Sequence, residues 1–154
     1  ALKGLDGGRI NIGTCSVGAA QGAINQARKY MHERLQFGKS LAQFQSLQFK
    51  IADMATELVA ARQMVLLAAF KLDSKDTNAT TYCAMAKRLA TDMCFNICNE
   101  ALQIVGGYGC TQDFPVERLM RDARVHQVVE GTNEIMKLVI SRKILEEGAM
   151  IQIR

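Results

Sequence analysis

Between residues 44 and 73 apolar side chains recur at alternating steps of four and three: Leu47, Ile51, Met54, Leu58, Ala61, Val65, Ala68 and Leu72. That spacing places one stripe along a helix and predicts close, nearly antiparallel packing on neighbouring helices. Residues 9–36 carry a weaker version, with Ile12, Cys15, Ala19, Gly22, Ala23 and Ala27 small or apolar, and "FGKS" breaks it at Gly38. The polar turn "DSKDTN" (73–78) offers Thr77 or Asn78 as a cap. A third helix is predicted over 78–105, with Tyr82, Met85, Leu89, Met93, Ile97, Ala101 and Val105 inward, ending at the pair Gly106-Gly107. "GGYGCTQDF" (106–114) reads as irregular loop, and Pro115 opens a short helix over 115–127, since proline is tolerated in a first turn. The last helix starts near Thr132 or Asn133 and runs to about Gly148, with Ile135, Leu138, Val139, Ile144 and Leu145 apolar. No segment alternates with period two for long enough to make a sheet. The pattern therefore predicts one all-α domain over 1–154, an up-and-down four-helix bundle with an extra short helix.

Composition narrows the class. With 49% hydrophobic and 22% charged residues, the chain can bury a core and is expected to fold as a globule. No stretch of 18 apolar residues escapes a charge, so no membrane-spanning helix is expected. The 19 basic and 15 acidic residues are interleaved, and no Lys/Arg stripe marks a nucleic-acid surface. Small anions remain suitable ligands, because a few placed arginines suffice for phosphate. Five cysteines, at 15, 83, 94, 98 and 110, are an odd number, and no histidine lies near enough to Cys94 and Cys98 for a zinc set. They are expected to be small buried residues in a reducing compartment, with no metal. The opening "ALKGLDGGRI" has neither initiator Met nor a signal-peptide pattern, and is expected to be an interior or processed start.

Three places could carry chemistry. In "QVVEGTNEI" (127–135), Glu130 stands either as an acid favoured near a helix start or as a base waiting for a proton. "QIVGGYG" and "ERLQFG" present bare backbone that a flat or charged ligand can approach, although glycine pairs also serve as helix C-caps. Arg34 fits both a helix C-terminal dipole and a phosphate. In "GLDGGRINIG" (4–13), Asp6 can cap the first helix, while Arg9 opposes the dipole there and calls for an anion.

Together, "LDGGR" (5–9), "ERLQFGKSLAQFQ" (33–45), "ADMATELVAAR" (52–62), "ALQIVGGYG" (101–109), "RDARVHQVVEGTNEI" (121–135) and "ISRKIL" (140–145) resemble the C-terminal domain of the flavin-dependent acyl-CoA dehydrogenases. They follow the family's order, cover nearly the whole chain, and sit closest in wording to its short branched-chain, isobutyryl-type members. The resemblance implies α,β-dehydrogenation of a short or branched acyl-CoA. Glu130 would remove the pro-R α-proton while the β-hydrogen leaves as hydride to flavin N5. It implies FAD contacts at Arg34, Gln36, Phe44 and Gln45, often across a subunit boundary, and at Gln103, Ile104, Val105, Gly106, Gly107, Thr132, Asn133 and Glu134. It implies an acyl-CoA site at Asp6, Gly7, Gly8, Arg9, Gly131 and Arg142. Some relatives place the base at the position that is Gly8 here, which leaves Glu130 as the candidate.

The resemblance further implies an N-terminal helical domain and a middle β-domain that these 154 residues do not include, so the chain alone is expected to be inactive. Also implied are an electron-transfer flavoprotein as partner, a homotetramer or dimer, and a mitochondrial-matrix or bacterial-cytoplasmic setting. A carboxylate working on a thioester needs water kept away, and Val128, Val129 and bound substrate are expected to do this. Two other readings are a non-enzymatic helical bundle for assembly or partner binding, and a related flavin oxidase on the same fold.

Overall fold

A computed structural model describes residues 2–145. Five α-helices dominate them: α1 (Asp6–Glu33), α2 (Gln45–Asp73), α3 (Ala79–Val105), α4 (Val116–His126) and α5 (Asn133–Leu145). A two-stranded ribbon, β1 (Leu35–Gln36) and β2 (Lys39–Ser40), joins α1 to α2. The all-α, up-and-down expectation holds: α1, α2, α3 and α4 alternate in direction, and α5 follows on the flank of α3. The predicted end of the last helix at Gly148 lies outside the described residues.

The stripe on α2 behaves as its spacing requires, with Met54, Leu58, Ala61, Val65 and Ala68 buried and Leu47, Ile51 and Leu72 packed at the ends. On α1 the buried face is Gly13, Ser16, Val17, Ala20, Ala23, Ile24, Ala27 and Met31, so Cys15 is exposed and the predicted face was rotated. The reason is that α1 is lined with small residues, and small residues carry little periodic signal. The central helix is α3, which packs against all four of the others. Its buried set includes Cys83, Ala86, Ala90, Cys94 and Cys98 as well as Tyr82, Ile97, Ala101 and Val105, while Met85, Leu89 and Met93 are only half-buried. Burial pushes the thiols of Cys94 and Cys98 up to about 12, as expected for small core residues, but Cys15 and Cys110 are exposed, against the expectation that all five would be buried. Among the described residues no group of three or more His, Cys, Asp or Glu could hold a metal, and no helix is long and apolar enough to cross a membrane.

Several boundaries moved for local reasons. The first helix ends at Glu33 and not at residue 36, because Phe37 (φ 52°) and Gly38 (φ 78°) form a two-residue turn with both φ positive. Such a turn matches the twist of paired strands and makes a hairpin, with Leu35 opposite Ser40. The third helix is introduced by Asp76, whose Oδ1 accepts the Asn78 N–H at 2.7 Å; neither Thr77 nor Asn78 caps it with a side chain. The "GGYGC" stretch is a 3₁₀ turn rather than irregular loop. On α5 the apolar residues face outward, with Ile135, Leu138, Ile144 and Leu145 exposed and Met136 buried in their place.

The core makes a direct test. Ile97 is 1% exposed at the centre of the bundle. Ile97→Ala should lower unfolding free energy by about 2–5 kcal/mol, read from the urea midpoint at unchanged slope.

Candidate functional site

The segment from Gln127 to Asn133 leaves α4 and re-enters helix at α5. Its ends are tied together by the Asn133 N–H donating to the Gln127 carbonyl at 3.1 Å. Glu130 (φ 56°) and Gly131 (φ 94°) both turn through left-handed backbone, which a glutamate adopts only when its surroundings hold it there. A side chain on Gly131 would meet the end of the Met136 side chain at 2.9 Å, and the φ of 94° is what calls for glycine there.

The Glu130 carboxylate lies on the bare backbone of α1 at Gly8. A Cβ built on Gly8 would overlap Oε2 and sit 2.6 Å from Cδ. Oε2 is buried and has no hydrogen-bond partner. A carboxylate oxygen held without a donor is unfavourable in a folded protein and calls for a reason of its own. The valines beside it do not shield it: Val128 is 52% exposed and Val129 37%, which corrects the expectation from sequence. Backbone at positive φ turns the glutamate inward while its neighbours face solvent.

Thr132 begins α5, its Oγ1 accepting the Ile135 N–H, and Glu134 follows in the first turn. Hydrogen bonds from its own backbone N–H and from Thr132 hold the Glu134 carboxyl below the usual range. Asn133 points the other way. Its side chain is buried, donating to Asp92 Oδ1 at 2.6 Å and Thr91 Oγ1 at 2.9 Å, and accepting from Lys87 Nζ at 2.8 Å. Lys87 is completely buried, and its Nζ also donates to the Gln127 carbonyl at 3.0 Å. Burial pushes its ammonium down to about 8, against the attraction of Asp92.

At the start of α1, Asp6 does not cap the helix. Leu5 occupies the cap without a side-chain bond, and Asp6 is the first helical residue. Arg9 finds its anion there: Nη1 donates to Asp6 Oδ1 at 2.9 Å, with both side chains buried, and Thr80 donates to Asp6 Oδ2 at 2.6 Å. Arg9 Nε is buried without a partner. The internal Asp6 answers the call for an anion that the sequence raised. Gly7 is exposed beside this pair, and Arg142 is exposed in the last turn of α5.

The remaining residues gather at the opposite end. Arg34 is 26 positions beyond Gly8, about 40 Å along α1 at a helical rise of about 1.5 Å per residue. There a concavity of about 540 Å³ is lined by Arg34, Gln36, Ile104, Val105 and Gly107 together with Tyr30, Leu41, Tyr108 and Thr111. The Arg34 guanidinium lies 5.9 Å from the Tyr108 ring centroid. Gly106 (φ 71°) turns the chain at the end of α3, Phe44 packs edge-on to Phe37 just before α2, and Gln45 and Gln103 are exposed.

Sequence reasoning missed Lys87, Thr91 and Asp92. A signal existed: Lys87 falls in phase with Cys83, Ala90 and Cys94, on the face that an all-apolar stripe would occupy. The folded pKa of Lys87 lies below its unfolded value of 10.5, so the unfolded chain binds the extra proton between pH 8 and 10.5. The native chain should gain stability relative to Lys87→Met as pH rises through that window, and paired denaturant titrations at pH 7.5 and about 10 would read the difference.

Comparison with known proteins gives this arrangement a lineage. Residues 1–145 match the family model described as acyl-CoA dehydrogenase, C-terminal domain. The mitochondrial isobutyryl-CoA dehydrogenase of Bos taurus is 53% identical over 96% of this chain and 35% of its own length. The caffeyl-CoA reductase-Etf complex subunit CarC of Acetobacterium woodii is 48% identical over 96% of this chain and 38% of its own length. The butyryl-CoA dehydrogenase structure from Megasphaera elsdenii superposes with a TM-score of 0.91 at 43% identity, covering 94% of this chain and 37% of that one. The chain thus spans little more than a third of the relatives it matches. By family match and by identity over nearly its whole length, this chain belongs to the acyl-CoA dehydrogenase C-terminal domain family.

Proposed function

We propose that this chain is the C-terminal helical part of an FAD-dependent acyl-CoA dehydrogenase, with Glu130 as the general base. The observation that carries the reading is the partnerless Oε2 of Glu130 held over Gly8, because a helical scaffold has no use for such an oxygen. A thioester laid against Gly8 and Gly131 would offer its α-hydrogen to that oxygen. The α C–H bond breaks, its proton passes to the Glu130 carboxylate, and the electron pair forms the α,β double bond as the β-hydrogen departs as hydride. When bound, FAD supplies the acceptor for that hydride at flavin N5.

The residues at hand suit that cofactor. The concavity of Arg34, Gln36, Ile104, Val105 and Gly107 combines a guanidinium for a diphosphate, amide donors and acceptors, and apolar walls for a ring. Gln103, Gly106, Phe44 and Gln45 border it in sequence. The second set, Thr132 and Glu134, stands beside Glu130 at the first turn of α5, and Asn133 holds that turn from inside. Since the two sets lie about 40 Å apart on one chain, a single flavin would draw them from two copies, which supports a homo-oligomer. For the acyl-CoA, Asp6, Gly7, Arg9 and Arg142 would contribute from the two flanks, with Arg9 acting from within its pair with Asp6. Because the chain spans little more than a third of its relatives' length, we assign turnover to a longer polypeptide that contains it. An electron-transfer flavoprotein is the proposed acceptor partner, by likeness to the Etf-complex subunit. Branched-chain acyl substrates and a mitochondrial-matrix or bacterial-cytoplasmic setting are proposed on the same footing, from the bovine relative and the bacterial ones.

In the complete flavin-loaded enzyme, Glu130→Gln should reduce turnover with isobutyryl-CoA by at least about 10²–10⁴-fold while flavin absorbance is retained; near-native turnover would remove Glu130 from this role. Residues 1–154 alone should show little or no turnover in the same assay. Gly8→Ala separates chemistry from folding. Alanine suits a helix better than glycine by roughly 0.5–1 kcal/mol, so stability should hold or rise. Its methyl would take the space of Oε2, so activity should fall sharply.

A further inference from the structure

Lys87 is the one lysine completely buried among the described residues, and nothing in the proposed chemistry uses it. Its Nζ reaches two acceptors placed symmetrically about Glu130: the carbonyl of Gln127, three residues before, and Oδ1 of Asn133, three residues after. We propose that Lys87 is the positioning residue for Glu130, clamping both ends of the 127–133 loop to α3 so that the carboxylate stays over Gly8. The inference rests on the reading of Glu130 as the base.

The loop needs such an anchor. The Asn133 N–H to Gln127 carbonyl bond closes it on itself but does not fix it relative to α1, where Gly8 lies. Glu130 at positive φ stores strain that the chain would release if the ends were free. α3 is the helix on which α1 packs most extensively, so tying the loop to α3 ties Glu130 to Gly8. Neighbouring side chains on α3 reach only part of the loop. Thr91 meets Asn133 alone, and Asp92 meets the side chains of Asn133 and Gln127 but no backbone atom. An ammonium with three donors on a long stem holds the backbone on one side of Glu130 and the side chain on the other. The charges that act on it come from every side: Asp92 on its own helix, Glu134 on α5, Glu130 in the loop and Arg9 on α1.

A purely structural lysine would be recognised by the damage its loss does, and here that damage is limited. In Lys87→Met both acceptors keep a second donor, Gln127 from the Asn133 N–H and Asn133 from the Thr91 hydroxyl at 3.3 Å. The variant removes the tether without orphaning either group.

The test follows α-proton removal alone, in the complete flavin-loaded enzyme, using an acyl-CoA with no hydrogen on its β-carbon in D₂O. Exchange of the α-hydrogen, read by mass spectrometry, then requires the base but no hydride transfer. Glu130→Gln should abolish exchange; if it does not, the base reading itself fails, whatever Lys87 does. With that control in place, Lys87→Met should slow exchange on the order of 10–100-fold, with flavin content and thioester affinity within about twofold of the parent. Asn133→Leu should give a similar loss, and the double variant no further loss, because the two act as one clamp. Parental exchange in Lys87→Met overturns the proposal. Should Lys87→Met fail to fold, Asn133→Leu carries the test by itself, and parental exchange there, or failure of both to fold, overturns it in favour of a structural role.

Discussion

The close approach of α1 to α3 is the contact on which the rest depends. Ala20, Ala23 and Ala27 on the first helix and Ala86 and Ala90 on the third have no exposed surface. At Gly13 an added Cβ would come within 3.1 Å of Val65 and 3.7 Å of the Ala90 methyl, so three helices meet there at close quarters. Small residues lower the contribution of each side chain to burial, but they let backbones approach and multiply weak dispersion contacts along some 28 residues of helix. They also set the site. Only when α1 lies this near α3 does Asp6 reach Thr80, and only then does the loop held on α3 bring its carboxylate to Gly8.

Buried charge is placed with the same economy. Arg9 and Lys87 are both sealed from solvent, and each is bonded within the chain, Arg9 to Asp6 and Lys87 to Gln127 and Asn133. Desolvating a guanidinium or ammonium is costly, and paired geometry rarely returns more than it takes. Such centres are better understood as fixing positions than as adding stability. Arg9 fixes the start of α1 next to Gly8, and Lys87 fixes the loop above it. Between them Glu130 keeps an oxygen with no donor, so the site is rigid at its edges and unsatisfied at its centre.

How much of this the sequence discloses follows from where periodic signal is strong. The heptad-like stripe on α2 named its buried face correctly, because Met54, Leu58, Ala61, Val65 and Ala68 keep an unbroken four-and-three spacing through the helix. On α1 and α3 the buried residues are mostly Ala, Gly, Cys and Ser, whose small size blurs the contrast, and the face on α1 was misjudged by a residue or two. Glu130, Gly8 and the Arg34 region were legible as motifs. Their geometry was not, since positive φ at Glu130 turns its side chain away from the two valines that seemed to flank it. Arg9 shows the same limit: the sequence asked for an anion, and nothing in the spacing of Asp6 distinguished a cap from a counter-ion. Lys87 could be found only by treating a charge in phase with a core stripe as a question.

The long axis of the bundle imposes the last constraint. The Glu130 carboxylate over Gly8 and the Arg34 guanidinium lie at opposite ends of one helix of 28 residues, and no rotation of side chains can bring them to a common ligand the size of a dinucleotide. The concavity at Arg34 is open, with Phe37 91% exposed at the hairpin tip and Tyr108 half out of the surface. Exposed aromatic rings beside a cation form the kind of surface that a second polypeptide or a bound ring system covers. The α5 face is open in the same way, with Ile135, Leu138 and Ile144 turned outward where a lone globule would bury them. Both features follow if each copy completes its active site with the far end of another. On the proposed reading, the length of the bundle lets it reach across an assembly, and its two ends carry different chemistry because they serve different copies of the same site.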